Sequence, residues 1–129
     1  MKFYISGRVT ESVDVEEAFA FLREKGHEIT FDWTALPHVK PYADNVKTAT
    51  QFAKEGIDGV LQADVYILIP HQDGHGIYVE LGAALVAYEQ NGSPQVYVVG
   101  PEREVCMFHF HLAVKYRNLL ADVWQELGV

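Results

Sequence analysis

Residues 63–70, ADVYILIP, hold the most continuous apolar run of the chain, and residues 74–84, GHGIYVELGAA, follow after a short polar break. Val65 to Ile69 has no polar alternation, which suits a central parallel strand covered on both faces. Pro70 to Gly76 is rich in glycine and histidine and reads as a loop. Ile77 to Glu89 is an alanine-rich apolar helix. Strand, glycine loop and helix in this order make a βα unit of a parallel sheet.

The same alternation extends in both directions. Upstream, Phe3 to Ser6 is a buried strand closed by Gly7, and a helical pattern through Val15, Ala18, Phe19, Phe21 and Leu22 stops at Gly26. His27 to Trp33 alternates polar with β-branched and aromatic residues and predicts a second strand. Ala35 to Pro41 is a proline-marked loop. A second helix spans about Ala43 to Leu61, with Gly56 and Gly59 marking a break. Downstream, Val96 to Val99 predicts a strand closed by Gly100-Pro101, Met107 to His111 a short fifth strand, and Leu112 to Leu127 a final helix.

This order predicts one α/β domain over residues 1–129, a flavodoxin-like three-layer fold with a parallel sheet of four or five strands in the order 2-1-3-4-5. In such sheets ligands sit beyond the carboxyl ends of the strands, where the strand order reverses. The crevice is then lined by Ser6, Gly7 and Arg8 and by the loop from Pro70 to Glu80.

Composition narrows the partners. The formal net charge of −8 argues against a nucleic-acid backbone, which needs a positive face. A single small anion is still within reach of backbone N–H groups and one arginine. Cys106 is the one cysteine, so no intrachain disulfide forms and a reducing compartment is expected. No run approaches the roughly 20 apolar residues of a membrane span, and MKFYISGRV lacks a signal-peptide pattern. A cytoplasmic protein without membrane partners is expected. The first turn reads SGRVTES, so neither a dinucleotide fingerprint nor a P-loop is present, and no cofactor is expected.

Glu80 is the residue on which chemistry turns. Gly74 and Gly76 let backbone approach a ligand closely. The helix start offers unpaired N–H groups and a partial positive charge, which favour an ionised carboxylate nearby. Either Glu80 complements that dipole from a solvated position, or it sits buried among Val79, Leu81, Ala83, Ala84 and Leu85. A buried carboxylate is costly without a partner or a task. An ionised carboxylate against a sugar is the nucleophile of retaining glycosyl transfer.

Taken together, FYISG, GHEITFDWT, the AD-plus-apolar strand ending in proline, and GxGxxxELGAA resemble the nucleoside 2-deoxyribosyltransferase superfamily, above all its small TIR-like bacterial members. The resemblance runs over roughly residues 2 to 116. It implies that Glu80 attacks the anomeric carbon of a nucleoside or nucleotide and expels the base. It also implies that Ser6, Gly7 and Arg8 lie near the sugar or a 5′-phosphate. Two positions depart from the pattern. Where transferases carry an aspartate eight residues before Asp64, this chain has Gly56, with Glu55 beside it as a substitute. Six residues before Glu80, where they carry an aspartate and the nucleotide hydrolases a serine, stands Gly74, next to Asp73. An NAD-cleaving enzyme and a catalytically silent nucleotide-sensing module are the competing readings.

Trp33 is read as a base-stacking residue or a core or rim aromatic, Tyr78 as an orienting partner of Glu80, Tyr4 as core, and Asp64 as a turn residue opening its strand. His71 and His75, and His109 and His111, lack the spacing and partners of a metal site, so none is expected. One loop histidine is a candidate acid for the leaving base. Apolar residues on more than one face of the helices at 43–61 and 77–89 predict a homodimer or larger homo-oligomer.

Overall fold

The computed structural model describes residues 1–129, apart from the side chain of Val13. In chain order the elements are β1 (Lys2–Ser6), α1 (Ser12–Glu24), β2 (Glu28–Ile29), α2 (Val46–Gln62), β3 (Val65–Leu68), α3 (Gly76–Asn91), β4 (Gln95–Val99), β5 (Val114–Arg117) and α4 (Leu120–Leu127). One sheet takes all five strands in the order β2-β1-β3-β4-β5, each pair parallel. The flavodoxin-like α/β order is therefore as expected, with β3 at the centre.

The strand period of two sorts the core into two layers. Tyr4, Tyr66, Leu68, Val96 and Val98 pack with Val60 of α2 and with Ile77, Leu81, Ala84 and Leu85 of α3. Phe3, Ile5, Val65, Ile67, Tyr97 and Val99 face the other way, onto Val15, Phe19 and Leu22 of α1 and Val123 of α4. Tyr66 and Ile67 pair with Tyr4 and Ile5 of β1, so the ends of β1 and β3 stand level where the order reverses.

Three expectations are corrected. The fifth strand is Val114–Arg117, and Met107–Phe110 is a 3-10 turn. Val114 and Tyr116 pack on the inner layer, whereas Lys115 and Arg117 lie over the Tyr97 ring. This period-two alternation occupies the start of the predicted final helix, which shortens to Leu120–Leu127. The second strand is only Glu28–Ile29, because Asp32 accepts from Thr34 N–H at 3.2 Å and turns the chain, and Arg23 grips the same carboxylate at 2.6 Å. Finally, α2 runs unbroken through its glycines. Gly59 is needed for packing: a Cβ there would meet Phe31 Cβ at 2.9 Å and the Tyr4 ring at 3.1 Å.

Candidate active site

β1 carries Tyr4 and Ser6 on the face covered by α2 and α3, and both are fully buried. From α3, Glu80 reaches toward that face and accepts a hydrogen bond from the Tyr4 hydroxyl. The Tyr66 hydroxyl of β3 lies 2.8 Å from Ser6 Oγ and 3.2 Å from the Ile77 carbonyl. The Ser6 hydroxyl also lies on the Glu80 side and helps pull that carboxyl down. Tyr4 and Tyr66 stack with ring centroids 5.9 Å apart, which sets both hydroxyls on one side. The Tyr4 hydroxyl thus bonds the carboxylate directly at the switch point, with the bonded Tyr66–Ser6 pair beside it.

Burial pushes the Glu80 carboxyl up to about 7, against hydrogen bonds from Tyr4 and Ser6 that pull it down. Glu80 is the fifth residue of α3, which begins at Gly76, so it stands beyond the first turn where the helix dipole acts. Desolvation therefore opposes what the helix start contributes toward an ionised carboxylate. Burial, and then the Glu80 charge, raise the phenols of Tyr4 and Tyr66, so both keep their protons and serve as donors.

The crest above this cluster is built from the turn after β1 and the loop after β3. Arg8 Nη1 lies 3.1 Å from His71 Nδ1, and the Asp73 carboxylate lies 3.9 Å from both. Gly74 is buried and its N–H closes a turn on the His71 carbonyl at 3.0 Å. A Cβ at Gly74 would fall 2.4 Å from the Ile77 side chain, so no aspartate or serine fits there as the loop stands. Gly76 opens α3 with free space around it.

Other expected residues stand apart from Glu80. The Tyr78 hydroxyl donates to the His71 carbonyl at 3.1 Å and braces the loop, not the carboxylate. Trp33 packs with the α1 layer, donating its indole N–H to the Ile5 carbonyl at 2.8 Å, and borders Gly7 from that side. Glu55 accepts from Gln51 at 2.9 Å and lines an open hollow of about 440 Å³ with Phe31, Asp32 and Asp58. The α2 residue that faces the Tyr4 hydroxyl is Gly56, where a Cβ would sit 3.5 Å away. Asp64 accepts from Lys2 N–H at 2.7 Å at the opposite end of the sheet, the turn role read for it. A second hollow of about 410 Å³ lies between α1 and α4 and excludes Glu80 too.

The sequence reading missed Tyr4 as a site residue, because an apolar strand hides which phenol faces a carboxylate. His71 was legible only as one histidine of a loop. Among the described residues no group of three His, Cys, Asp or Glu side chains is placed to hold a metal. No described helix is long and apolar enough to cross a membrane.

No protein-family model and no curated protein matches the sequence. Solved structures do match in fold. One is a CMP N-glycosidase of Clostridium botulinum, 17% identical over 100% of both chains with a TM-score of 0.64. Another is a 2-deoxyribosyltransferase of Bacillus psychrosaccharolyticus, 22% identical over 95% of this chain and 90% of that one, with a TM-score of 0.67. The fold implied by the sequence motifs is thus shared with two enzymes of N-glycosidic chemistry.

Proposed function

We propose that this protein cleaves or transfers the N-glycosidic bond of a nucleoside or nucleotide, with Glu80 as nucleophile. The observation that carries this reading is a half-buried carboxylate at the switch point, bonded by the Tyr4 hydroxyl with no cation beside it. Such a group is poorly solvated and oriented, which suits attack on an anomeric carbon. In the first step a Glu80 oxygen bonds to C1′, and the C1′–N bond breaks with its electron pair leaving on the base. In the second, water or another base attacks C1′ and releases Glu80. Ionised Glu80 is the reactive form, so activity rises with pH through about 7.

Gly56 and Gly74 stand where transferases carry aspartates and supply no polar side chain there, which tells against base exchange. The test is a panel of ribo- and deoxyribonucleosides, their 5′-monophosphates and NAD, followed for released base by chromatography. Release from NAD alone would favour the TIR-like reading. Binding without release from any member would favour a sensing module.

Pairing of two copies belongs to the same proposal. Val79 and Val86 of α3 are 64% and 55% exposed, and Met107, Phe108, Phe110 and Leu112 are 76%, 55%, 57% and 83% exposed. Large apolar side chains clustered this densely favour an interface. A homodimer or larger assembly by light scattering at micromolar concentration is expected, and a monomer would remove it.

A further inference from the structure

We propose that Tyr66 is a positioning residue for the reaction at Glu80: it holds the Ser6 hydroxyl in place as a second hydrogen-bond donor to that carboxylate, beside Tyr4. This rests on the reading of Glu80 given above. It begins in β3, where Tyr66 carries the one hydroxyl of an otherwise aliphatic strand and is wholly buried. Phenylalanine would fill the same space with no polar atom to satisfy, whereas a buried phenol needs a partner for its hydroxyl.

Tyr66 finds two partners. It stands opposite Tyr4 in the strand register, and its hydroxyl reaches further along β1, to 2.8 Å from Ser6 Oγ. The Ile77 carbonyl lies 3.2 Å away on the other side. Ile77 belongs to the first turn of α3, three residues before Glu80. One hydroxyl therefore touches both β1 and α3, the two elements that bring Tyr4 and Glu80 together.

Proton accounting decides how it acts. The Ile77 carbonyl can only accept, whereas the Ser6 hydroxyl can donate or accept, and Tyr66 has one proton to give. If that proton goes to Ile77, Ser6 donates its own proton to the phenol oxygen. If it goes to Ser6, which is the shorter contact, the Ser6 proton is free to turn toward Glu80. Ionised Glu80 selects the second arrangement, because a hydrogen bond to a charged group is the stronger one. Burial, and then the Glu80 charge, keep the Tyr66 phenol protonated, so it stays a donor. Ser6 is fully buried and pulls the Glu80 carboxyl down, as this arrangement requires. When Glu80 bonds to C1′ and loses its charge, the two hydroxyls swing back by rotation alone, with no covalent bond made or broken between them.

The test is carbon-13 NMR titration of the glutamate carboxyls, with Glu80 assigned as the signal missing from Glu80→Gln, and it needs no substrate. Ser6→Ala should raise the Glu80 titration by about one pH unit, the weight of one hydrogen bond to a charged group. Tyr66→Phe keeps the ring that stacks on Tyr4. It should raise the titration by about half a unit, because it loosens the Ser6 bond without deleting it. The double variant should titrate like Ser6→Ala alone, since Tyr66 acts only through Ser6. A 3-fluorotyrosine in place of Tyr66 is a stronger donor and should lower the titration, a change that lost packing cannot produce. Base release by Tyr66→Phe should fall about three-fold on the acid side of its pH profile, as a shift of about half a unit dictates, and recover on the alkaline side. A Tyr66→Phe titration equal to wild type would overturn the proposal, as would additive shifts in the double variant or a loss of turnover equal at every pH. Each of these results leaves Glu80 standing as nucleophile. The expected titrations in a protein that cleaves no nucleoside or nucleotide would instead sink the Glu80 reading alone.

Discussion

Glu80 and Glu126 are both glutamates on helices packed against the sheet, and their surroundings are opposite. Glu126 on α4 is gripped by Arg117, 2.8 Å from its Nε, and by Lys115 at 3.2 Å, on the open edge of β5. Against a cost of desolvation, those hydrogen bonds hold its carboxyl below the usual range. Glu80 has no cation, is half-buried between α3 and β1, and stands raised to about 7 by desolvation. One carboxylate ties the last strand to the last helix. The other is kept poorly solvated at the point where the sheet order reverses, where stability alone would favour an apolar residue. The contrast separates an acidic residue that serves the fold from one that serves chemistry.

The sharpest way to break this contrast is to remove each charge in turn. Glu80→Gln should reduce base release by about three orders of magnitude or more, since the loss falls on the transition state. Glu126→Gln should leave turnover unchanged and cost at most about 1 kcal/mol by chemical denaturation, as exposed pairs do. Comparable activity losses in the two variants would erase the distinction.

A smaller effect is expected at Tyr4. Its hydroxyl bonds the carboxylate, and Tyr4→Phe removes that bond without changing the ring that stacks on Tyr66. Hydrogen bonds to charged groups are worth about 1.5–3 kcal/mol, so turnover near neutral pH should fall about ten- to a hundred-fold. Loss of this donor also raises Glu80 further, and the acid limb of the pH–rate profile should move to higher pH. An unmoved limb would mean that Tyr4 is merely core.

Stability gives the third contrast. The folded-state carboxyl of Glu80, near 7, lies above its ordinary value of 4.5. A raised group contributes its stability fully below the lower value and loses it as pH rises through the upper one. Wild type should therefore lose up to about 3 kcal/mol relative to Glu80→Gln between pH 4 and pH 8. Parallel stability curves for the two proteins would show that Glu80 is solvated.

Much of this was legible in the sequence, for physical reasons that differ by region. Val65 to Ile69 is apolar at every position because β3 is covered on both faces, and that gave the sheet its centre. Glu80 stood out because it interrupts an apolar helix. The fifth strand was misplaced because Val114 to Arg117 is short and runs on from Leu112-Ala113, which blends its alternation into a helical pattern. The desolvation of Glu80 was legible in its apolar neighbours, but the phenol that bonds it was not. For the same reason Tyr78 was credited with a bond that goes instead to the His71 carbonyl. Contacts between residues 63 and 76 positions apart, such as Arg8 with His71 and Tyr4 with Glu80, come only from the folded crest.

The bond between Glu80 and the sugar can be sought directly. A nucleotide with fluorine at C2′ of the sugar destabilises the charge that develops as the intermediate breaks down, so the glycosyl-enzyme should accumulate. Intact-mass and peptide analysis of the wild-type protein should then show one sugar added per chain, on the peptide carrying Glu80, and no adduct in Glu80→Gln. Base release from the unmodified nucleotide with no adduct, or an adduct on any other residue, would contradict the assignment of Glu80 as nucleophile.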